Sequence, residues 1–292
     1  MRLAITGATG LVGRFIVEEA LAAGDHVVTL TRTPPDHGAF SGPVSRLAYD
    51  LAGPPPPLVG CDALVHCSFQ HVPGLYRGGE GDDPDGFRRA NLDGSLALFE
   101  TARRDGVRRI LFLSSRAVYG DYPPGTTLGE DLPPRPDTLY GKIKLEAEQA
   151  LAALNGPGCA TASLRATGIY GPAGPGQTHK WTRLFDDFRA GRPIAPRIST
   201  EVHGADLAAA IRLLLLAPAS SLAGRSFNLS DILLDRHDLL TEVARLTGIR
   251  APLPKRADGA KISAMSCTRL RSLGWHPGGR RRLSESLPGL LQ

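Results

Sequence analysis

Three glycines spaced three apart, in Thr6-Gly7-Ala8-Thr9-Gly10-Leu11-Val12-Gly13, separate a short apolar run, Arg2–Thr6, from a segment with helical spacing, Leu11–Ala23. A strand that passes this abruptly into a helix has few folds open to it. Gly7 permits the tight turn, Gly10 lets backbone approach a pyrophosphate, and Gly13 lets the helix pack close to the strand. The helix N-terminus then presents free N–H groups and the positive end of its dipole to phosphates. An ordinary glycine-rich turn would show the same letters. The position between a first strand and a first helix favours a dinucleotide cradle, with Gly7, Thr9, Gly10, Leu11, Val12 and Gly13 as candidate binding residues.

The pattern that follows keeps alternating. Strands are expected at Asp25–Thr31, Arg46–Tyr49, Asp62–Cys67, Arg109–Ser114 and Thr161–Arg165, and helices at Phe87–Asp105 and Tyr140–Leu154. Alternation of this kind predicts an α/β fold, a doubly wound parallel sheet of the Rossmann type. Pro54–Pro57 excludes a helix after the third strand. Past Gly168 the rhythm loosens and Gly and Pro crowd together, with helices expected at Trp181–Ala190, Ala205–Leu216 and Arg236–Leu246. The expected division is a dinucleotide-binding domain over 1–168 and a small irregular substrate-binding region over 169–292. Within that region, about 201–216 should pack back on the first domain.

Composition excludes other classes. With 42% apolar and 22% charged residues, the chain of 292 has material for a real core. The longest apolar stretch, Ala208–Ala217, is broken by Arg212 and falls short of the ~20 residues a bilayer requires, so no membrane association is expected. Cys61, Cys67, Cys159 and Cys267 lie far apart and read as buried thiols of a cytoplasmic protein. The net charge of +5 comes from scattered arginines without interleaved aromatics. That favours small anions over nucleic acid, and plain solvation over either for most of them. No histidine spacing suggests a metal.

The end of the second strand bears on cofactor choice. An acid there favours NAD; this chain has Thr31-Arg32, and an arginine fork suits a 2′-phosphate. NADP(H) is therefore favoured over NAD(H), the alternative being an Arg32 that merely faces water. Asp50 and Leu51 follow the third strand, where an acid often meets the adenine amino group. Tyr140 and Lys144 stand four apart on one helix face, where an ammonium favours the phenolate. Such a pair also occurs by chance as an exposed helix pair. Its weight comes from Ser115, which follows the fifth strand at the carboxyl edge of the sheet, where ligands bind in open α/β folds.

Taken in order, several pieces resemble the extended short-chain dehydrogenase/reductases, the NAD-dependent epimerase/dehydratase family. They are the glycine loop, Leu64–Ser68, Asn91–Ser95, Leu113–Gly120, Tyr140–Lys144, Leu164–Pro172 and Val202–Ala208. The resemblance implies Ser115, Tyr140 and Lys144 as catalytic residues with Tyr140 the acid/base. It implies Cys67, Ser68, Thr167, Gly168 and Ile169 as cofactor-lining, beside Tyr140 and Lys144. Asn91 takes either a structural or a catalytic part, and His203 and Asp206 tie the two domains together. It also implies a homodimer formed through Phe87–Asp105 and Tyr140–Leu154.

The departures matter as much. Dehydratases of the family carry an Asp-Glu pair after the catalytic Ser/Thr, whereas this chain has Arg116-Ala117, so dehydration is not expected. Many nucleotide-sugar enzymes place an asparagine where Gly168 stands, which puts a large nucleotide-sugar in doubt. Arg116, Lys180, Arg183 and Arg197 are candidates for an anionic substrate or for solvent. The loop Phe69–Arg89 is read as lying on the substrate side. The function expected is an NAD(P)-dependent oxidoreductase acting between a secondary alcohol and a ketone on a sugar-like or polyhydroxylated small molecule. A sugar epimerase is the alternative, and a non-catalytic dinucleotide sensor a third reading.

Overall fold

The structure is a computed structural model and describes residues 1–72 and 79–291. Its main layer is a seven-stranded sheet in which every pairing is parallel. In chain order the elements are β1 (Arg2–Thr6), α1 (Leu11–Ala22), β2 (His26–Thr31), β3 (Ser45–Ala48), β4 (Ala63–His66), α2 (Pro84–Arg88) and α3 (Gly94–Arg104). They continue with β5 (Arg109–Ser115), α4 (Leu139–Ala153), β6 (Ala160–Ala166), β7 (Gly168–Tyr170), α5 (Thr182–Arg189) and β8 (Ile198–His203). The last are α6 (Gly204–Leu216), α7 (Ala219–Leu222), β9 (Ser226–Leu229), β10 (Ile232–Asp235), α8 (Arg236–Thr247), α9 (Thr268–Ser272) and α10 (Gly279–Leu290). The strand order is β3-β2-β1-β4-β5-β6-β9. Order reverses beside β1, so the crevice between the carboxyl ends of β1 and β4 is where such sheets take ligands.

Strands buried on both faces read as continuous apolar runs, and β4 (Ala-Leu-Val-His) and β5 do so. One core joins α1 and α6 to the sheet, with Ile16, Val17 and Ala20 meeting Leu207, Ile211 and Leu214. The other face buries Leu98, Phe99, Phe112, Ile143, Ala147 and Leu151 beneath α3 and α4. Among the described residues no helix lies between β3 and β4, as the proline run requires.

Two expectations are corrected. The segment Phe87–Asp105 is not one regular helix: between α2 and α3, Arg89–Asp93 forms a π turn. There the Asn91 amide donates to the Phe87 carbonyl and Ser95 Oγ donates to the Asn91 carbonyl, at 2.9 and 2.5 Å. Side chains thus compete with the backbone ladder and insert the extra residue. The C-terminal region is also less irregular than expected. A three-stranded sheet, β10-β8-β7, sits with α5, α8 and α10 over an aromatic cluster of Tyr170, Trp181, Phe185 and Phe188. Its strands and β9 are three to six residues long and set among Gly and Pro, too short for a visible period. No helix among the described residues is long and apolar enough to cross a membrane.

Helix α4 is fixed to β6 by a buried ion pair. Arg165 Nε lies 3.1 Å from both Glu148 oxygens and Nη2 lies 2.8 Å from Oε2. Ser226 Oγ on β9 adds a donor at 3.1 Å, and the guanidinium stacks 5.0 Å from the Tyr119 ring. Removing one partner of such a pair strands the other charge. Glu148→Gln should therefore cost about 3–5 kcal/mol in chemical denaturation. A loss under 1 kcal/mol would show that α4 is held mainly by its apolar face.

Candidate active site

The glycine turn is compressed. Gly7 has φ +64°, and a Cβ on it would stand 3.0 Å from the Ser68 backbone nitrogen. A Cβ on Gly13 would overlap the Gly7 carbonyl, so α1 rests directly on the turn. Gly10 is extended and no side chain caps α1, so its first-turn N–H groups face outward at the carboxyl edge of β1. Two side chains tie this region to the segment after β7, one from each side. Gln177 Nε2 donates to the Thr9 carbonyl at 2.8 Å, and Arg14 Nη2 donates to the carbonyls of Pro172 and Ala173 at 3.3 Å each. This cradle of bare backbone and unpaired helix-terminal N–H groups fits a pyrophosphate.

A buried hydrogen-bond chain holds the turn to its neighbours. Thr6 Oγ1 accepts from the backbone nitrogens of Cys67 (3.0 Å) and Ser68 (3.1 Å) and meets His66 Nδ1 at 2.7 Å. His66 Nε2 meets Ser95 Oγ at 2.9 Å, and Asn91 Oδ1 accepts from Gln70 N at 2.6 Å. Proton accounting fixes the direction. Thr6 Oγ1 already accepts twice, so its hydroxyl donates to Nδ1. Ser95 gives its proton to Asn91, so it accepts from Nε2–H. His66 is thus neutral and protonated on Nε2. Burial, aided by the nearby Lys144 charge, pulls its pKa down to about 3.

On the other side of β4, the start of α4 lies against the end of β5. Thr138 Oγ1 caps the helix by accepting from Gly141 N at 3.1 Å. Gly141 has room for no side chain, because a Cβ would stand 2.5 Å from the Ala117 carbonyl. Ser115 ends β5, and its Oγ accepts from Ala117 N at 3.1 Å. Lys144 is 3% exposed; its Nζ donates to the Leu113 carbonyl at 2.7 Å and lies 4.4 and 4.5 Å from the Phe69 and Phe112 ring centres. Burial pushes its pKa down to about 7, against the pull of Cys67 and Glu148. Burial pushes the Cys67 thiol up to about 12. The Tyr140 ring meets Phe69 edge-on at 4.9 Å. Ser115, Tyr140 and Lys144 are thereby drawn to one edge of the sheet, beside the chain that follows β4.

The remaining expected residues scatter more. Arg32 is exposed just past β2, and its carbonyl accepts from Arg46 Nη2 at 2.7 Å. Asp50 is exposed and caps its own turn by accepting from Ala52 N at 3.0 Å, while Leu51 is buried in the core. Thr167 Oγ1 donates to the Thr200 carbonyl at 2.7 Å; Gly168 and Ile169 pair with Glu201 and Val202. His203 caps α6, and Asp206 pairs with Arg282 of α10 at 3.3 Å. The loop Phe69–Arg89 is described except at 73–78, which lie outside the described residues.

Sequence reasoning missed the roles of Thr6, His66, Ser95, Arg46 and Gln177, and it named Lys180 without its partner Glu201. His66 enters the sequence reading only as part of the Leu64–Ser68 segment. A histidine closing an otherwise apolar strand was the available signal, since a buried imidazole needs two partners.

A family profile described as "NAD dependent epimerase/dehydratase family" matches residues 3–230, and the chain belongs to that family. It is 27% identical over 315 aligned positions to a UDP-glucose 4-epimerase of Corynebacterium glutamicum, covering 95% of this chain and 91% of that one. It is 34% identical over 150 positions to a uronate dehydrogenase of Agrobacterium fabrum, about half of each chain (50% and 53%). The UDP-glucose 4-epimerase of Thermus thermophilus, solved with NAD, superposes with a TM-score of 0.77 at 25% identity, over 100% of this chain and 99% of that one. The protein is thus an enzyme of the short-chain dehydrogenase/epimerase type that uses a nicotinamide dinucleotide.

Neutral His66 has a pH consequence. Its folded pKa lies below the unfolded value of about 6.5, so the unfolded chain binds the extra proton and stability falls as pH drops below that point. For one linked proton the fall is about 1.4 kcal/mol per pH unit. Denaturant midpoints measured at pH 7 and pH 5 should converge between wild type and His66→Gln. A gap that does not change with pH would contradict this assignment.

Proposed function

We propose that this member of the NAD-dependent epimerase/dehydratase family interconverts a secondary alcohol and a ketone on a sugar-like, polyhydroxylated substrate. The observation that supports the reading is the docking of α4 on the end of β5, where Gly141 closes on the Ala117 carbonyl and Lys144 Nζ donates to the carbonyl of Leu113, two residues before Ser115. The nicotinamide ring, when bound, supplies or accepts the hydride. Ser115 Oγ holds the substrate oxygen. Tyr140 takes the alcohol proton during oxidation and returns it during reduction, and the Lys144 ammonium favours its phenolate form. Gly7, Thr9, Gly10, Leu11, Val12 and Gly13 hold the pyrophosphate. Asp50 and Leu51 lie on the adenine side, and Cys67, Ser68, Thr167, Gly168 and Ile169 line the nicotinamide half. The same reading has two copies associate through α3 and α4.

A transient oxidation with hydride return to the opposite face, an epimerase, is the second reading. It is favoured by the similarity to a UDP-glucose 4-epimerase over nearly the whole chain. A cofactor that stays bound through purification supports the epimerase, and one that exchanges freely supports the net oxidoreductase.

Tyr140→Phe keeps the ring and removes the proton. Turnover should fall by about 10²–10⁴-fold, the usual worth of a general acid–base group, with cofactor affinity nearly unchanged. Full turnover in this variant removes Tyr140 from the chemistry.

We also read the cofactor as NADP(H). Arg32 is exposed at the end of β2, and Arg46 brings a second guanidinium to the same corner. Arg32→Ala should weaken NADP(H) binding by about 1.5–3 kcal/mol, as expected for a charge-assisted contact, while NAD(H) binding changes little. Equal losses for the two cofactors in calorimetric titrations, or wild-type preference for NAD, would reverse the choice.

A further inference from the structure

Gly168 opens β7 two residues after Ala166, and Ala166 is the sheet neighbour of Ser115. The space that a side chain at 168 would occupy is already filled. A Cβ there would stand 2.6 Å from Lys180 Nζ and 2.6 Å from Glu201 Oε2. These two atoms form an ion pair, and Glu201 is the backbone partner of Gly168 across β7 and β8. An ammonium–carboxylate pair thus stands just past the carboxyl end of β6.

The two members of the pair are exposed very differently. The Glu201 side chain is 4% exposed against 28% for Lys180. Both carboxylate oxygens are occupied: Oε2 accepts from Lys180, and Oε1 accepts from Ser199 Oγ at 2.9 Å. Glu201 therefore has no need of a substrate. Lys180 carries three N–H donors, and among the described residues Glu201 is its one hydrogen-bond acceptor. The Trp181 ring lies 5.8 Å from Nζ on one side. Burying a carboxylate is expensive, and a lone buried pair is weak support for a fold. What this pair achieves is orientation: a buried anion pins a cation whose remaining donors are open beside the proposed site.

We infer that Lys180 is a substrate-binding, specificity-determining residue and that Glu201 is its positioning residue. The N–H groups of Lys180 that Glu201 leaves over donate to the substrate, either to a sugar carboxylate or to a sugar hydroxyl. The inference rests on the function proposed above, because it assumes a polyhydroxylated substrate at this edge.

The test is calorimetric binding of D-galacturonate and of D-galactose to the full chain saturated with NAD(P)+. Lys180→Met alone leaves Glu201 buried without its cation and can unfold the region. The double variant Lys180→Met/Glu201→Leu removes both charges and keeps the volume, and its melting temperature checks the fold. Wild type should bind at least one of the two sugars, and the double variant should bind it about 10–100-fold more weakly, the worth of a charge-assisted hydrogen bond, with cofactor affinity unchanged. Loss confined to galacturonate identifies a carboxylate, and equal loss of both identifies a hydroxyl. Glu201→Gln should raise the dissociation constant by a smaller factor, which a purely structural role would not do while the melting temperature holds. Unchanged sugar binding in the folded double variant, or no binding of either sugar by wild type, overturns the inference. Tyr140→Phe separates the two claims. Binding that persists while turnover is lost supports the proton-transfer reading whatever happens at Lys180. Binding lost at Lys180 while Tyr140→Phe stays fully active sinks the proposed chemistry and leaves the binding residue standing.

Discussion

The contact on which the candidate site depends is between two stretches of backbone, Gly141 at the start of α4 and the Ala117 carbonyl just past β5. Without a side chain at 141, the helix approaches the sheet to van der Waals distance. Tyr140, Lys144 and Glu148 follow at helical spacing. The first faces the chain after β4, the second reaches back to the Leu113 carbonyl, and the third locks onto Arg165 of β6. A larger residue at 141 would lift all three together. The geometry near Ser115 is thus set by close backbone packing and then held in rotation by one buried ion pair.

The glycine turn obeys the same rule of close approach, but polar groups hold it. Gly13 lets α1 sit on the turn, and the chain Thr6–His66–Ser95–Asn91 ties the turn to β4 and to the π turn. Each hydroxyl and each ring nitrogen in this chain has one defined role, so the network is satisfied in only one protonation state. In a low-dielectric interior that is what makes a polar network specify a structure. It also accounts for the departure from a regular helix at Arg89–Asp93, because Asn91 is held at both its side chain and its carbonyl.

How much of this was legible in the sequence depended on the range of the interaction. The six expected strands of the main sheet all appear, with ends that match or move by a single residue, because long apolar runs and glycine punctuation are local signals. The seventh strand, Ser226–Leu229, carries a buried Asn228 whose amide donates to Leu128 and Ser266, so its polarity hid it. Tyr140 and Lys144 could be placed on one face from spacing alone. Nothing local could show that Lys144 would lie between Phe69 and Phe112, since those rings come from other parts of the chain. The Lys180–Glu201 pair spans 21 positions and depends on the side chain that Gly168 lacks. Absence at one position and charge at two others become a single feature only in three dimensions.

Lys144 brings these constraints to one atom. Its ammonium has a carbonyl and two ring faces for company, and burial outweighs them enough to bring its pKa to about 7. A cation poised in this way is sensitive to any anion that comes near. Coulomb interaction between unit charges 4 Å apart is about 4 kcal/mol at an effective dielectric of 20, which is more than enough to return the amine to its charged form. The effect is mutual: whatever an adjacent phenolate adds to the stability of the ammonium, the ammonium adds to that of the phenolate. A solvated lysine would already be charged and screened and would gain little from a neighbour. In the chemistry proposed above, a lysine buried to the edge of neutrality couples its own charge to that of Tyr140, whose ring centre lies 5.9 Å from Nζ.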